Sequence, residues 1–333
     1  MLANSQYEHG RYMPGEASEG CWIARSRVPL HHDHGLFGLS ACLHGAPSDL
    51  ALVARDPRLA HFDARRAIFL AMREGPRPGT WLMGMVRIVG ETFFVEQVAC
   101  NEAGQERAAL TAVARRIGLA DWSVSFSRSS FDRFALQQRM AEFGVPFPFP
   151  IQRHLKLLGP LKAIYGPIAA PCCLTQLERQ CLSLHREQTD SPFHSNLLDL
   201  LSLAGLLGHV SRALRAPALP QAAAAASMAA WALGRWDEAA RWGGAAVRSG
   251  AETARLPLAR SLTRLGRMDE ATPHWEILGR GGRSEACEVM ARFEARSGHH
   301  ASALLWCERG LRHGALTSGR ERRLRSISGR ILT

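Results

Sequence analysis

The sequence predicts an α/β domain with a mixed central sheet and flanking helices, followed by an all-α helical-repeat domain. Strand, hairpin, helix and strand patterns follow one another in residues 61–212, and a heptapeptide recurs at a fixed interval in residues 221–318. The length of 333 residues agrees with two domains. A hydrophobic content of 46% with 21% charged residues is sufficient to build a core in each.

The elements of the first domain are bounded by recognisable turn residues. Residues 1–60 are rich in Gly, Pro and His, and we expect an irregular N-terminal lead-in. An apolar run at 67–73 predicts a strand, and the GPRPG segment at 75–79 ends it. Two apolar runs on either side of Gly90 predict a β-hairpin. Gly144 and Pro146 end a later helical pattern. In chain order the prediction is strand 67–73, hairpin 81–89 and 92–99, helix 106–117, strand 122–126, and helices 131–143, 174–184 and 196–210.

A three-stranded meander followed by a helical crossover to another strand is the opening of a ribonuclease-H-like fold. This order of elements therefore predicts a ribonuclease-H-like domain over residues 61–212.

The second domain is predicted from an internal repeat. LGRWDEA at 233–239 returns as LGRMDEA at 265–271 and more weakly as SGHHASA at 297–303. Gly234, Gly266 and Gly298 are thus spaced evenly, close to the period of tetratricopeptide repeats. We expect each glycine to end the first helix of a repeat, and Ala239 and Ala271 to allow close helix packing. An unrelated helical bundle is the alternative.

Charge separates the two halves of the chain. Residues 211–333 carry 20 Arg and 11 Asp or Glu, a net charge of +9 out of the total of +11. The excess ends in a basic tail at 319–333, and it suits either a solvated arginine-rich surface or contact with nucleic acid or another acidic partner. The candidate nucleic-acid-binding residues are Arg320, Arg322, Arg323 and Arg325.

Cysteines and histidines give no specific metal signature. The eight cysteines include no CxxC pair, and we expect them to be reduced and mostly buried. The HHDH run at 31–34 could be a metal site or a polar loop, but adjacent ligands on an extended segment point to opposite sides.

No run of 18 apolar residues and no secretory signal pattern is present, so we expect a cytoplasmic chain without a membrane span.

Five stretches, in order, carry a resemblance to a known family. They are the RVPLHHDHG segment at 27–35, AIFLAMREG at 67–75, VSFSRSSFD at 124–132, and CLTQLE with SNLLDLLSL at 173–178 and 195–203. Together they resemble the YprB-like ribonuclease-H-like proteins, relatives of the DEDD 3′–5′ exonucleases, which often carry a tetratricopeptide tail. The resemblance spans residues 25–210 and implies a site for two divalent cations, Mg²⁺ or Mn²⁺, held by four carboxylates.

Carried over residue by residue, the family's motif is incomplete here. The first two carboxylate positions, on one strand, hold Ala71 and Arg73, and the last two hold Asp132 and Asp199. A guanidinium cannot ligate a metal ion and is costly to bury unpaired. We therefore predict that Arg73 fills the former metal position and pairs with Asp132 and Asp199. The alternative is that both aspartates cap helices or pair with local arginines.

Glu74 and His194 are the other residues that could take part in catalysis. Glu74 follows Arg73 but faces the other side of a regular strand, so a bulge at Gly75 would be needed to turn it inward. His194 lies five residues before Asp199, a spacing found in some DEDD enzymes, and it is otherwise a polar residue at a helix entry.

Three functions follow from these observations. The first is a degenerate exonuclease-family domain that binds nucleic acid, protein or both, with no cofactor and with the repeats as a surface for a protein or peptide. The second is an active metal-dependent 3′–5′ exonuclease with a reduced carboxylate set, using Mg²⁺ or Mn²⁺. The third is a tetratricopeptide scaffold without nucleic-acid contact, whose tryptophans pack between helices.

Overall fold

The protein comprises two compact units, residues 1–216 and 217–333. The structure is a computed structural model and describes residues 13–18, 20–77, 79–126, 133–148, 153–165, 173–186, 191–215, 220–312 and 317–332. The first unit is built on a mixed β-sheet, and the second consists of helices.

The first unit contains a seven-stranded sheet and a two-stranded ribbon. The strands are β1 Met13–Ser18, β2 Cys21–Pro29, β3 Asp33–His34, β4 Phe37–Gly38, β5 Ala67–Glu74, β6 Trp81–Val89, β7 Thr92–Cys100, β8 Trp122–Ser125 and β9 His154–Lys156. The main sheet has the order β1-β2-β7-β6-β5-β8-β9, and β3 pairs with β4 in the ribbon. Neighbours are antiparallel from β1 to β5, whereas β5–β8 and β8–β9 are parallel.

Helices cover both faces of this sheet. They are α1 Pro47–Ala54, α2 Glu106–Ile117, α3 Arg133–Glu142, α4 Leu158–Tyr165, α5 Leu174–Leu177 and α6 Pro192–Arg215. Apolar residues of α2 and α3 pack on Ile68, Leu70 and Met83 of the sheet. Helix α6 packs against β5 and β6 on the opposite face. The predicted meander, the helix at 106–117 and the parallel strand that follows are confirmed.

The expectation of an irregular segment at 1–60 is wrong for much of it. Strand β2 pairs with β7 from Trp22 to Pro29, and most of its side chains are buried or partly buried, with Ile23 1% exposed. The pairing joins residues about seventy positions apart, so no local turn signal marks it.

The predicted continuous helix at 174–184 differs from the observed structure. Helix α5 gives way to a π-helical turn over 178–182, which ends at Ser183 with a φ of 51°.

Helix α6 extends further than the predicted 196–210. Its segment Pro192–Leu214 is the one helix in the described part of the chain that is long and apolar enough to cross a membrane. In the structure 83% of its most apolar window is buried. The apolar side chains of α6 therefore contribute to the core of the first unit.

The second unit is an array of short antiparallel helices. They are α7 Pro220–Ala232, α8 Trp236–Arg248, α9 Arg255–Arg264, α10 Met268–Arg280, α11 Ser284–Arg296, α12 His300–Arg312 and α13 Ser318–Leu332. Gly234, Gly266 and Gly298 follow the first helix of each pair with φ of 74°, 75° and 80°. Only glycine adopts this left-handed conformation readily, which explains the repeated glycine.

The interiors of the repeats follow the predicted pattern. Ala239 and Ala271 are fully buried, as is Ala303 in the weakest copy. Trp275 is 1% exposed in the core formed by α9, α10 and α11. Trp231 is partly buried, and the guanidinium carbon of Arg260 lies 4.8 Å from its ring centroid. These tryptophans pack between helices.

The segment at 319–333 is not a separate basic tail. It lies almost wholly within α13, and Leu324 and Ile327 of this helix are buried against Ala291 and Cys307. These two apolar residues, three apart, lie on one helix face, and the surrounding arginines obscured that pattern in the sequence.

Candidate functional site

The site begins with the alternation of side chains along β5. Ile68, Leu70 and Met72 belong to the core shared with α2 and α3. Successive strand residues point to opposite faces, so Ala71 and Arg73 face α6. The β5–β6 register is continuous from Ile68 to Glu74.

Three polar residues on one face of α6 meet this strand. Asn196, Asp199 and Ser202 are spaced three apart and therefore share a helix face. The Asn196 amide donates to the Ala71 carbonyl oxygen at 2.9 Å and accepts from the Gln97 amide at 2.9 Å. A Cβ atom at Gly84 would lie 2.0 Å from Asn196 Oδ1, so glycine is needed there. These contacts hold α6 close to the sheet and so position Asp199 next to β5.

Arg73 forms an ion pair with Asp199. Its Nε and one terminal nitrogen each lie 2.8 Å from Oδ2 of Asp199. The Arg73 side chain is 38% exposed and that of Asp199 is 15% exposed. The predicted pairing of Arg73 with Asp199 is confirmed, and its predicted second partner, Asp132, lies outside the described residues.

A second arginine holds the other oxygen of Asp199. Nη1 of Arg186 lies 2.7 Å from Oδ1 of Asp199, and Nη2 forms an ion pair with Glu178. The Arg186 side chain is 11% exposed and that of Glu178 is fully buried. Burial raises the pKa of Glu178, and Arg186 opposes that rise. We call Arg73, Arg186, Asp199 and Glu178 the charge cluster.

His34 connects this charge cluster to the HHDH run. Its Nε2 lies 2.8 Å from Oγ of Ser202, and Nη2 of Arg186 donates to the same hydroxyl at 3.4 Å. His31 and His32 lie in a turn before the ribbon, Asp33 and His34 form its first strand β3, and His34 is 1% exposed. Burial, with the positive charge of Arg186, lowers the pKa of His34 to about 3. A neutral imidazole in this place contributes a hydrogen bond to the cluster.

The residues of the charge cluster do not fit a divalent metal centre. Ala71 has no ligand atom, Arg73 brings a positive charge, and both oxygens of Asp199 contact guanidinium groups. Across the described ranges there is no group of three or more His, Cys, Asp or Glu residues that could hold a metal ion. We therefore derive no metal-dependent step from these residues.

Two further residues, Glu74 and His194, were candidates for catalysis. Glu74 is the last residue of β5, is exposed, and has no bulge beside it to turn it toward Arg73. His194 is the third residue of α6, and its backbone N–H donates to Ser191 Oγ at 3.3 Å. Of the cysteines, Cys172 is undescribed; the other seven are free, and only Cys173 among them is exposed.

The four predicted nucleic-acid-binding arginines are all on α13, but their surroundings differ. Arg320 and Arg323 contact Glu288 of α11 at 3.3 and 2.7 Å. Arg325 pairs with Glu321 of its own helix at 2.7 Å, and Arg322 is exposed. Three of the four thus have a carboxylate partner.

Sequence reasoning missed Arg186, Glu178, His34 and Gln97 as members of this site. Arg186 lies in an irregular segment, where no periodicity indicates the direction of a side chain. Glu178 is the last residue of the CLTQLE segment that carries the family resemblance. Its place in that segment was the one signal in the sequence that could have assigned it to this site. Gln97 lies on a strand whose residues are nearly all buried, where a lone amide marks a polar contact.

The sequence matches no protein-family model, and no curated protein matches it significantly.

We predict that the first unit loses stability as the pH falls from 7 to 5. The unfolded chain protonates a histidine near pH 6.5, whereas folded His34 resists protonation down to about pH 3. The stability that neutral His34 contributes is therefore present above pH 6.5 and declines as protons bind the unfolded state. At pH 5 the loss amounts to about 2 kcal/mol for this one group. Urea unfolding at a series of pH values measures it.

The control for this prediction is His34→Gln, whose amide can bond Ser202 and does not titrate. Its unfolding free energy should depend less on pH between 7 and 5. A residual slope remains because burial also lowers the pKa of His209 to about 4. The raised pKa of Glu178 acts in the opposite direction above pH 4.5 but is common to both proteins. Equal slopes in the two proteins would disprove the assignment to His34.

Proposed function

We propose that this protein is a non-catalytic member of the exonuclease-like class that acts by binding nucleic acid. Its first unit is a ribonuclease-H-like domain whose metal position is filled by the charge cluster. Its second unit is a tetratricopeptide-like array that supplies the basic binding surface.

The sheet order supports a ribonuclease-H-like assignment. Strands β5, β6 and β7 form an antiparallel meander, and α2 then crosses over so that β8 lies parallel to β5 on its other side. Strand β9 extends the sheet in the same direction. In the family the equivalent of β5 carries the first two carboxylates, and the sheet order thus supports the assignment of those two positions to Ala71 and Arg73.

The pairing of Arg73 with Asp199 carries the proposal that catalysis is lost. Asp199 is a retained carboxylate of the family motif, and both its oxygens are engaged by arginines. A divalent ion would have to displace a guanidinium and then lie beside a second one. Repulsion at such short range in a partly buried site disfavours metal binding strongly.

Charge supports nucleic acid as the ligand. The last third of the chain, residues 211–333, carries nearly all of the net positive charge, +9 of +11. The described acidic residues of this unit mostly hold one arginine each, so the excess stays on the surface. Phosphate backbones are the common anionic polymers that such a surface attracts.

The loss of the metal site is tested by titrating Mn²⁺ calorimetrically into the wild-type protein and two variants. We expect no binding tighter than about 1 mM for the wild type and for Arg73→Gln. The double variant Ala71→Asp/Arg73→Glu restores two carboxylates on one strand face beside Asp199. It should bind Mn²⁺ with a dissociation constant of about 10⁻⁵ to 10⁻³ M.

Two results would contradict this part of the proposal. One is tight Mn²⁺ binding by the wild type that Asp199→Asn abolishes, or metal-dependent cleavage of a labelled single strand that Asp132→Ala abolishes. The other is a folded double variant, verified by circular dichroism, that binds no Mn²⁺, since the changes at positions 71 and 73 would then not account for the loss of the metal site.

A further inference from the structure

A groove of about 380 Å³ lies between α11 and α13 of the repeat unit. Four arginines line it: Arg292, Arg322, Arg323 and Arg330. No acidic side chain is among the described residues that line this groove. Its charged lining residues are therefore all positive, and those on α13 extend from Arg322 to Arg330. We call it the arginine groove.

One carboxylate beneath the groove is shared among several arginines. Glu288 of α11, whose side chain is 9% exposed, contacts Arg292 at 2.8 Å, Arg323 at 2.7 Å and Arg320 at 3.3 Å. A single negative charge cannot neutralise three guanidinium groups. Glu288 orients these side chains while leaving most of their positive charge uncompensated.

Two arginines on α10 and α12 are each balanced by a glutamate of their own. Arg280 and Arg312 each pair with a glutamate one turn earlier on the same helix, Glu276 and Glu308. In the part of the unit that the structure describes, no acidic side chain pairs with Arg322 or Arg330, and both are exposed. The arginine groove thus brings together arginines whose charge is at most partly neutralised, in contrast to these two pairs on α10 and α12.

The spacing of the arginines suits a chain of phosphates. Arg322 and Arg330 are eight residues apart on one helix, a rise of about 12 Å. One strand of a nucleic acid in helical form presents about three or four phosphates over that distance. The one apolar residue in the lining, Ile327, is only 4% exposed, so the groove offers no apolar anchor of the kind that peptides need for affinity.

We propose that the arginine groove binds the phosphate backbone of nucleic acid independently of base sequence. This inference rests on the proposed function and assigns the binding surface to a particular pair of helices. Guanidinium groups donate two hydrogen bonds in a fixed plane to phosphate oxygens. Glu288 orients the side chains of Arg292 and Arg323, which both line the groove, for that geometry. In the described groove lining no aromatic side chain is available for base stacking, which limits recognition to the backbone.

The test measures fluorescence anisotropy of a labelled 20-nucleotide single strand between 50 and 200 mM salt. The variant is Arg322→Gln/Arg330→Gln, which leaves all contacts of Glu288 intact. We expect the logarithmic salt slope to fall by about 1.4 and the affinity at 100 mM salt to fall about 25-fold, because two phosphate contacts are lost. Truncating the chain before α13 is not suitable, because Leu324 and Ile327 are buried.

The matched control is Arg280→Gln/Arg312→Gln, which removes the same charge from α10 and α12. Its affinity should stay within about twofold of the wild type, since long-range effects are screened. If the wild type binds the oligonucleotide but both variants have the same affinity, the assignment of binding to the arginine groove is wrong while the proposed function stands. If the wild type binds no oligonucleotide at 50 mM salt, the assignment to the groove and the proposed function are both wrong. Labelled polyglutamate binding with the same dependence on Arg322 and Arg330 would overturn the phosphate assignment in favour of an acidic peptide.

Discussion

Replacing Asp199 with alanine should lower the free energy of unfolding of the first unit by about 3 kcal/mol. The substitution removes the shared partner of Arg73 and Arg186. Arg186, at 11% exposure, retains Glu178 but loses one of its two carboxylates, while Arg73 is 38% exposed and recovers part of its hydration. The midpoint of thermal unfolding should fall by roughly 6–12 °C for a unit of this size.

Circular dichroism melts give the overall effect, and hydrogen exchange of peptides from β5 and α6 assigns it to the first unit. The matched control is Glu91→Ala, because Glu91 is 80% exposed and contacts Arg65 at 3.6 Å. Its cost should stay below about 0.5 kcal/mol. An Asp199→Ala variant no less stable than Glu91→Ala would show that the charge cluster contributes nothing to stability.

Replacing Trp275 with alanine should lower the stability of the repeat unit by about 3–5 kcal/mol. The indole is 1% exposed, contacts the core formed by α9, α10 and α11, and donates through Nε1 to Thr263 Oγ1 at 2.8 Å. In a stacked array each repeat depends on its neighbours, so the cavity weakens the interfaces on both sides of α10.

Urea unfolding, with hydrogen exchange of peptides from α9 to α11, measures this loss. Trp275→Phe keeps most of the volume and loses the hydrogen bond, so it should cost much less than alanine. Ile277→Ala on the same helix is the control, because that side chain is 48% exposed. Similar losses for Trp275→Ala and Ile277→Ala would mean that the core is not centred on Trp275.

The sequence predicted those parts of the fold whose signals are local. The meander, α2 and β8 have short turns between them, and the glycines of the repeats are individually required by left-handed turns. Strand β2 was missed because its partner β7 lies far along the chain, so its pairing depends on tertiary packing. Helix α13 was missed because two buried residues among many arginines give a weak apolar pattern.

The same distinction applies to the charge cluster. Arg73 and Asp199 were predicted to meet because the family resemblance assigns both positions to one metal site, and strand alternation and helix spacing are consistent with the directions of their side chains. Arg186 has no such constraint, since it lies in an irregular segment after a left-handed residue, Ser183. Its position is determined by the burial of Glu178, which requires a positive partner.

The charge cluster also has a consequence for divalent ions. A site made of carboxylates alone repels phosphate until metal ions neutralise it. Among the described residues of the charge cluster, two arginines balance two carboxylates, so the neutralisation is permanent and belongs to the chain itself. Under the proposed function, chelators and changes in magnesium concentration leave the charge of the charge cluster unchanged, whereas they would switch the charge of a carboxylate centre.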